Sequence, residues 1–168
     1  MAEFKMGFIG TGNMGSALAR AAAKSGERML LANRTPEKAE ALAAVLGAKV
    51  GTNLQAAAAC EYIFLGVKPQ MVVGVVEGLK ADILASEGIF VSMLAGVSLE
   101  KLALLLGADK KIIRIMPNTP ASVGEGMIQY CSSNVTAEEE EAFLRIMAPA
   151  GRLDAVPESL IDAASCVS

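Results

Sequence analysis

Five near-continuous apolar runs organise the chain: KMGFI at 5–9, RMLLAN at 28–33, EYIFLGV at 61–67, GIFVSML at 88–94 and KIIRIM at 111–116, with a shorter one, AKV, at 48–50. Runs of this length without polar alternation predict parallel strands covered on both faces. The segments between them carry helix signals. Thr35 followed by Pro36 reads as an N-cap with proline at the first helical position, and Gly47 closes that helix. Thr52 with Gln55, and Thr136 with Glu139, have capping-box spacing, and Ser98 is placed to cap LEKLALLL. Two later runs, GMIQYC and GRLDAV, flank the helix predicted over 136–148 and extend the sheet. The alternation predicts an α/β fold built on a doubly wound, mostly parallel sheet.

Composition narrows what such a sheet can serve. The 168 residues are 53% hydrophobic and 20% charged, enough for a full domain with a sizeable core. Mean hydropathy is +0.45, yet every apolar run falls well short of the roughly 20 residues that span a bilayer. A net charge of −3 and a pI near 5.1 argue against nucleic acid as a partner, because phosphate binding needs a basic face. Cys60, Cys131 and Cys166 show no CxxC spacing and read as reduced thiols of a cytoplasmic protein. There is no histidine, which excludes histidine triads and histidine acid–base chemistry in this chain, and no metal site is expected. A secretory leader is the rival reading of the first 25 residues, with Lys5 as its basic residue and ALARAAA as its cleavage site; Gly10, Thr11, Gly12 and Asn13 break the apolar core it needs. The acidic run at 138–141 reads as a solvated face in the first turns of its helix. From ESLIDAASCVS a new helical pattern begins without C-terminal signals, and the sequence reads as cut. The expected division is a dinucleotide-binding domain over 1–157 and the start of a helical C-terminal domain over 158–168.

The candidate chemistry lies at the ends of the strands. Gly10, Gly12 and Gly15 form GxGxxG between the first strand and a helix over 13–25, the context in which this motif binds a dinucleotide. Gly10 permits the tight turn, Gly12 lets the backbone approach a pyrophosphate, and Gly15 allows close helix–strand packing. After the second strand stand Asn33, Arg34 and Thr35, with no carboxylate to hold a ribose 2′-hydroxyl. Arg34 is suited to a 2′-phosphate, with Thr35 adding a hydroxyl, which favours NADP(H) and leaves NAD(H) possible. Gly66, Val67, Lys68 and Pro69 follow the fourth strand, and Ala95, Gly96 and Val97 the fifth. The loop RIMPNTPASVGEG places two prolines around Asn118 and Thr119 at the same edge. Lys68 and Arg114 are its obvious cations, although each reads equally as a strand-end surface charge.

GFIGTGNMGSAL, NRT, VKPQ, AGVS and MPNTPASVGEG, in that order, resemble the pyrroline-5-carboxylate reductases over nearly the whole chain. The resemblance implies a Rossmann-type NADP-binding domain whose cofactor contacts are Ile9, Gly10, Thr11, Gly12, Asn13 and Met14, Asn33, Arg34 and Thr35, and Asn53. It extends them to Gly66, Val67, Lys68 and Pro69, and to Ala95, Gly96 and Val97, with Asn118 as a candidate substrate contact. It further implies reduction of Δ1-pyrroline-5-carboxylate, an imino acid, to L-proline by NADPH in a cytoplasmic homo-oligomer. One departure is Gly66, where the family often has alanine. A larger one is length: the family continues into a helical domain holding most of the imino-acid site and the dimer interface. No catalytic acid is identified in this chain. Two alternatives stay open: a related NADP-dependent oxidoreductase with another substrate, and a nucleotide-binding module without turnover.

Overall fold

The computed structural model describes residues 2–165; Cys166, read above as a reduced thiol, lies outside them. Among the described residues eight strands form one sheet: β1 (Phe4–Ile9), β2 (Met29–Ala32), β3 (Lys49–Val50), β4 (Cys60–Leu65), β5 (Ile89–Ser92), β6 (Lys111–Met116), β7 (Gly126–Ser133) and β8 (Gly151–Ala155). Their order is β3-β2-β1-β4-β5-β6-β7-β8. The strands from β3 through β6 pair in parallel, β7 runs antiparallel to β6, and β8 parallel to β7. The reversal follows from length. Only residues 117–125 separate β6 from β7, fewer than the dozen or so that a parallel crossover requires. The expected doubly wound, mostly parallel sheet is therefore what forms.

Helices α1 (Asn13–Ala23), α2 (Pro36–Leu46) and α7 (Ala137–Met147) cover one face, and α3 (Asn53–Ala59), α4 (Val72–Gly78), α5 (Lys80–Ala85) and α6 (Leu99–Leu106) the other. Strand alternation divides the core between them. Tyr62 and Phe64 of β4 join Leu18, Leu42 and Phe143 on the first face, while Ile63 and Leu65 join Ala56, Val76 and Leu102 on the second. The Phe8 and Phe64 rings stack with centroids 4.3 Å apart, a geometry that adds to their area burial.

The helix ends follow the sequence closely. Thr52 and Gln55 make a reciprocal capping box, as do Thr136 and Glu139, and Ser98 Oγ accepts from the Lys101 N–H at 3.1 Å. Gly47 closes α2 with φ +70°. Thr35 occupies the N-cap position of α2, but its side chain makes no capping bond. The Lys38 N–H donates instead to the Thr35 carbonyl at 3.1 Å.

The acidic run at 138–141 is not simply a solvated face. Glu139 pairs with Lys111 of β6, and Glu140 accepts from Tyr130 Oη at 2.7 Å. Partial burial pushes the Glu139 carboxyl up, but the Lys111 ammonium and the Thr136 N–H outweigh it and hold the group below its ordinary value. The first turn of α7 lies against the sheet, so its carboxylates face partners as well as water.

Candidate functional site

The register aligns Ala32, Ile9, Leu65, Ser92 and Arg114 across β2, β1, β4, β5 and β6. The loops after these strands consequently emerge side by side at the carboxyl edge, where ligands bind in open α/β sheets. The glycines lock two of the loops together. Gly10 sits at φ +99°, and a Cβ there would lie 2.7 Å from the Gly66 carbonyl oxygen. A Cβ on Gly66 would meet Gly10 O at 2.7 Å, and one on Gly15 would meet the same oxygen at 2.6 Å. The alanine common at position 66 in the resembling family would therefore need the β1 loop to shift. Gly12 differs from all three: nothing lies within 4 Å of a Cβ built there. Its bare backbone faces open space at the N-terminus of α1, a cradle that a side chain would fill.

Asn33 ties the edge together. The Thr11 N–H donates to Asn33 Oδ1 and Asn33 Nδ2 to the Thr35 carbonyl, each at 3.0 Å. Each end of that amide thus makes one bond within the protein, which positions the loop and leaves a second N–H and a second lone pair for a ligand. Thr11 is 5% exposed, and its hydroxyl oxygen has no partner among the described residues. A buried hydroxyl left unpaired is costly; a hydrogen-bonding ligand at the cradle would relieve it.

Two cavities adjoin this loop. One of about 850 Å³ is bordered by Thr11, Gly12 and Asn13, by Arg20 of α1, and by Lys38 of α2. The other, of about 420 Å³, brings Asn33 together with Asn53, Gly51 and Thr52. Asn33 follows from its place after the second strand, whereas Asn53 is expected at this site only through the resemblance. Lys38 had not been singled out, although its place one turn beyond Thr35 was a usable signal.

The remaining candidates lie around the same edge. Arg34 and Lys68 are exposed, and neither makes an ion pair or side-chain hydrogen bond among the described residues. Pro69 opens a 3-10 turn over Pro69–Met71, closed by the Met71 N–H to the Lys68 carbonyl at 2.8 Å. Val67 packs partly against the core, as does Met14 from the first loop. Ala95 and Gly96 stand exposed, with Gly96 at φ +74°, while Val97 is buried. Asn118 Oδ1 accepts from the Met127 N–H at 3.0 Å, so its carbonyl closes the 117–125 loop.

Arg114 is neither a crevice cation nor a surface charge. It is 2% exposed, and its guanidinium donates to Glu158 Oε2 at 3.0 Å and Asp162 Oδ1 at 2.6 Å. Both carboxylates come from α8 (Glu158–Ser165), which packs over β6 and β7 and buries Ile161. Glu158 Oε2 also accepts from the Leu99 N–H at 2.7 Å. The helix that leads out of the sheet is thereby joined to the start of α6, just beyond Ala95–Val97.

Cys60 and Cys131 are weakly ionising thiols. Burial first, then Glu3, pushes Cys60 up to about 12, and burial with Glu158 pushes Cys131 to about 11. Among the described residues, no group of three or more histidine, cysteine, aspartate or glutamate side chains is placed to hold a metal ion. No described helix is long and apolar enough to cross a membrane.

Residues 5–96 match the family model described as NADP oxidoreductase, coenzyme F420-dependent. The chain is 36% identical over 165 residues to the pyrroline-5-carboxylate reductase of Escherichia coli K12, covering 95% of this chain and 61% of that one. Its fold is similar to the pyrroline carboxylate reductase of Plasmodium falciparum solved with NADP bound, at a TM-score of 0.85 and 29% identity, over 100% of this chain and 63% of the other. The pyrroline-5-carboxylate reductase of Coxiella burnetii superposes at a TM-score of 0.90 with 26% identity, over 98% of this chain and 63% of the other. The chain thus spans about three-fifths of the length of these relatives.

Proposed function

The chain belongs to the family of NADP oxidoreductases described as coenzyme F420-dependent, and on that premise we propose that its crevice holds NADP(H) and that the whole protein reduces Δ1-pyrroline-5-carboxylate to L-proline. One observation carries this: the motifs shared with the resembling reductases fall on neighbouring loops of a single sheet edge, around a bare Gly12 backbone and an unpaired Thr11 hydroxyl.

The chain's residues divide the binding between them. The backbone of Gly12 and Asn13, at the positive end of α1, receives the pyrophosphate. Arg34 meets the 2′-phosphate with Thr35 beside it, and Asn53 borders the cavity for the adenosine. Gly66–Pro69 and Ala95–Val97 offer backbone to the nicotinamide end. When bound, NADPH supplies a hydride. The chain's part is to orient the dinucleotide, and the proton for the product nitrogen is assigned to no residue of this chain. Asn118 takes a place at the substrate end through its amide group, whose oxygen already accepts one bond from the Met127 N–H.

Residues 1–157 form the dinucleotide-binding domain in this proposal, and 158–168 open a further helical domain, whose described part, α8 (Glu158–Ser165), is held to the sheet by Arg114. We extend it to a cytoplasmic homo-oligomer with an imino acid as its small-molecule substrate, and with neither nucleic acid nor membrane as a partner. The supports are the resemblance, the acidic pI near 5.1 and the short apolar runs.

The test is to supply the whole protein with pyrroline-5-carboxylate and NADPH, following nicotinamide absorbance and L-proline together. Equal loss of NADPH and gain of L-proline is expected. NADPH oxidation with other cyclic imines but not with this one would move the activity to another substrate.

A further inference from the structure

We propose that Glu158 is a positioning residue for the nicotinamide end of the crevice, fixing the Ala95–Val97 loop from the helix that leads out of the sheet; this rests on the reading of that loop as the nicotinamide side of an NADP(H) site. The loop joins β5 to α6 and is anchored along its length. At its start Ser92 is wholly buried, and its Oγ accepts from the Leu94 N–H at 3.3 Å. In its middle Leu94 and Val97 are buried, while Ala95 and Gly96 stand exposed. At its end the Leu99 N–H donates to Glu158 Oε2 at 2.7 Å.

That last bond supplies what α6 cannot supply for itself. The first N–H groups of a helix have no partner within it. Ser98 Oγ accepts from the Lys101 N–H and the Ser98 carbonyl from the Leu102 N–H, so neither serves Leu99. Its acceptor comes instead from 59 positions along the chain. The same carboxylate oxygen accepts from Arg114 Nη1 at 3.0 Å, and Arg114 pairs in register with Ser92 on the neighbouring strand. Both ends of the loop are therefore tied to one corner of the sheet, with the Glu158 carboxylate as the joint. Fastening α8 does not by itself require this arrangement. Asp162, one turn further along α8, holds the guanidinium at 2.6 Å through a bond separate from that to Leu99. Glu158 adds the hold on the loop, where Gly96, at φ +74° and without a side chain, contributes no packing of its own.

Equilibrium titration of the chain with NADPH and, separately, with adenosine 2′,5′-bisphosphate separates the two ends of the dinucleotide, because the bisphosphate lacks the nicotinamide. Glu158→Ala is expected to weaken NADPH about fivefold and the bisphosphate less than about twofold. Retained bisphosphate binding also reports that the variant is folded. Glu158→Gln keeps an acceptor for the Leu99 N–H and is expected to restore most of the loss. Asp162→Asn removes the other carboxylate charge on Arg114 and is expected to lower the melting temperature while leaving both affinities unchanged. Four results overturn the proposal: unchanged NADPH affinity in Glu158→Ala, equal loss for both ligands, no recovery in Glu158→Gln, or the same selective loss in Asp162→Asn. Should the unaltered chain bind the bisphosphate as tightly as NADPH, the reading of Ala95–Val97 as the nicotinamide side fails, and the role of Glu158 with it. Should it bind neither ligand, the reading of the crevice fails as a whole.

Discussion

Gly15 shows how one hydrogen-sized position is decided by magnitude. Alanine in a helix interior ordinarily gains about 1 kcal/mol over glycine, so Gly15→Ala would stabilise an isolated α1. Here the new Cβ would lie 2.6 Å from the Gly10 carbonyl oxygen. That neighbour is backbone, itself hydrogen-bonded through the Gly10 N–H to the Ala32 carbonyl at 2.9 Å, and it has little room to retreat. Overpacking costs about 1–3 kcal/mol, and a rigid neighbour puts this site at the upper end. A lower melting temperature for Gly15→Ala is therefore expected by calorimetry; an increase would mean that the β1 loop is free to move. The glycine spacing made this legible from sequence, because each role of the motif is local. Arg114 was not legible. Its identity as an ion-pair partner depends on Glu158 and Asp162, more than forty residues away, and no local pattern links them.

Elements reveal the same division between near and far. The capping boxes at Thr52 and Thr136 could be read because donor and acceptor lie three residues apart. The partners of Glu139 and Glu140 lie on strands, and a reading by turns of the helix could not supply them. The attachment of α8 is the strongest such case. Arg114 is almost wholly enclosed, whereas Glu158 and Asp162 have side chains 31% and 56% exposed. Removing both carboxylate charges together, in Glu158→Gln with Asp162→Asn, leaves the guanidinium buried without a counter-charge. Losing the partners of a buried charge costs about 3–5 kcal/mol, discounted here because water already reaches both carboxylates. A loss of about 2–3 kcal/mol in denaturant unfolding is expected for the double variant. Unchanged stability would show that α8 is not fastened to the sheet through this pair.

At the scale of the molecule, the strand order places the first three βα loops beside those after β4 and β5, and the shared motifs meet although up to 88 positions separate Ile9 from Val97. The parallel core was readable from continuous apolar runs; the reversal at β7 was not, because it depends on where a short connection can reach. The central claim is that this edge is a dinucleotide site built around Gly12. Calorimetric titration of the chain with NADPH, beside Gly12→Val, tests it most directly. The substituted Cβ meets nothing within 4 Å, so the variant is expected to unfold within a few degrees of the unaltered chain. The same side chain would stand where the pyrophosphate must approach. The unaltered chain should bind one NADPH per chain, and Gly12→Val should lose at least about tenfold in affinity, which is 1.4 kcal/mol. A folded Gly12→Val that binds NADPH as tightly as the unaltered chain would contradict the account.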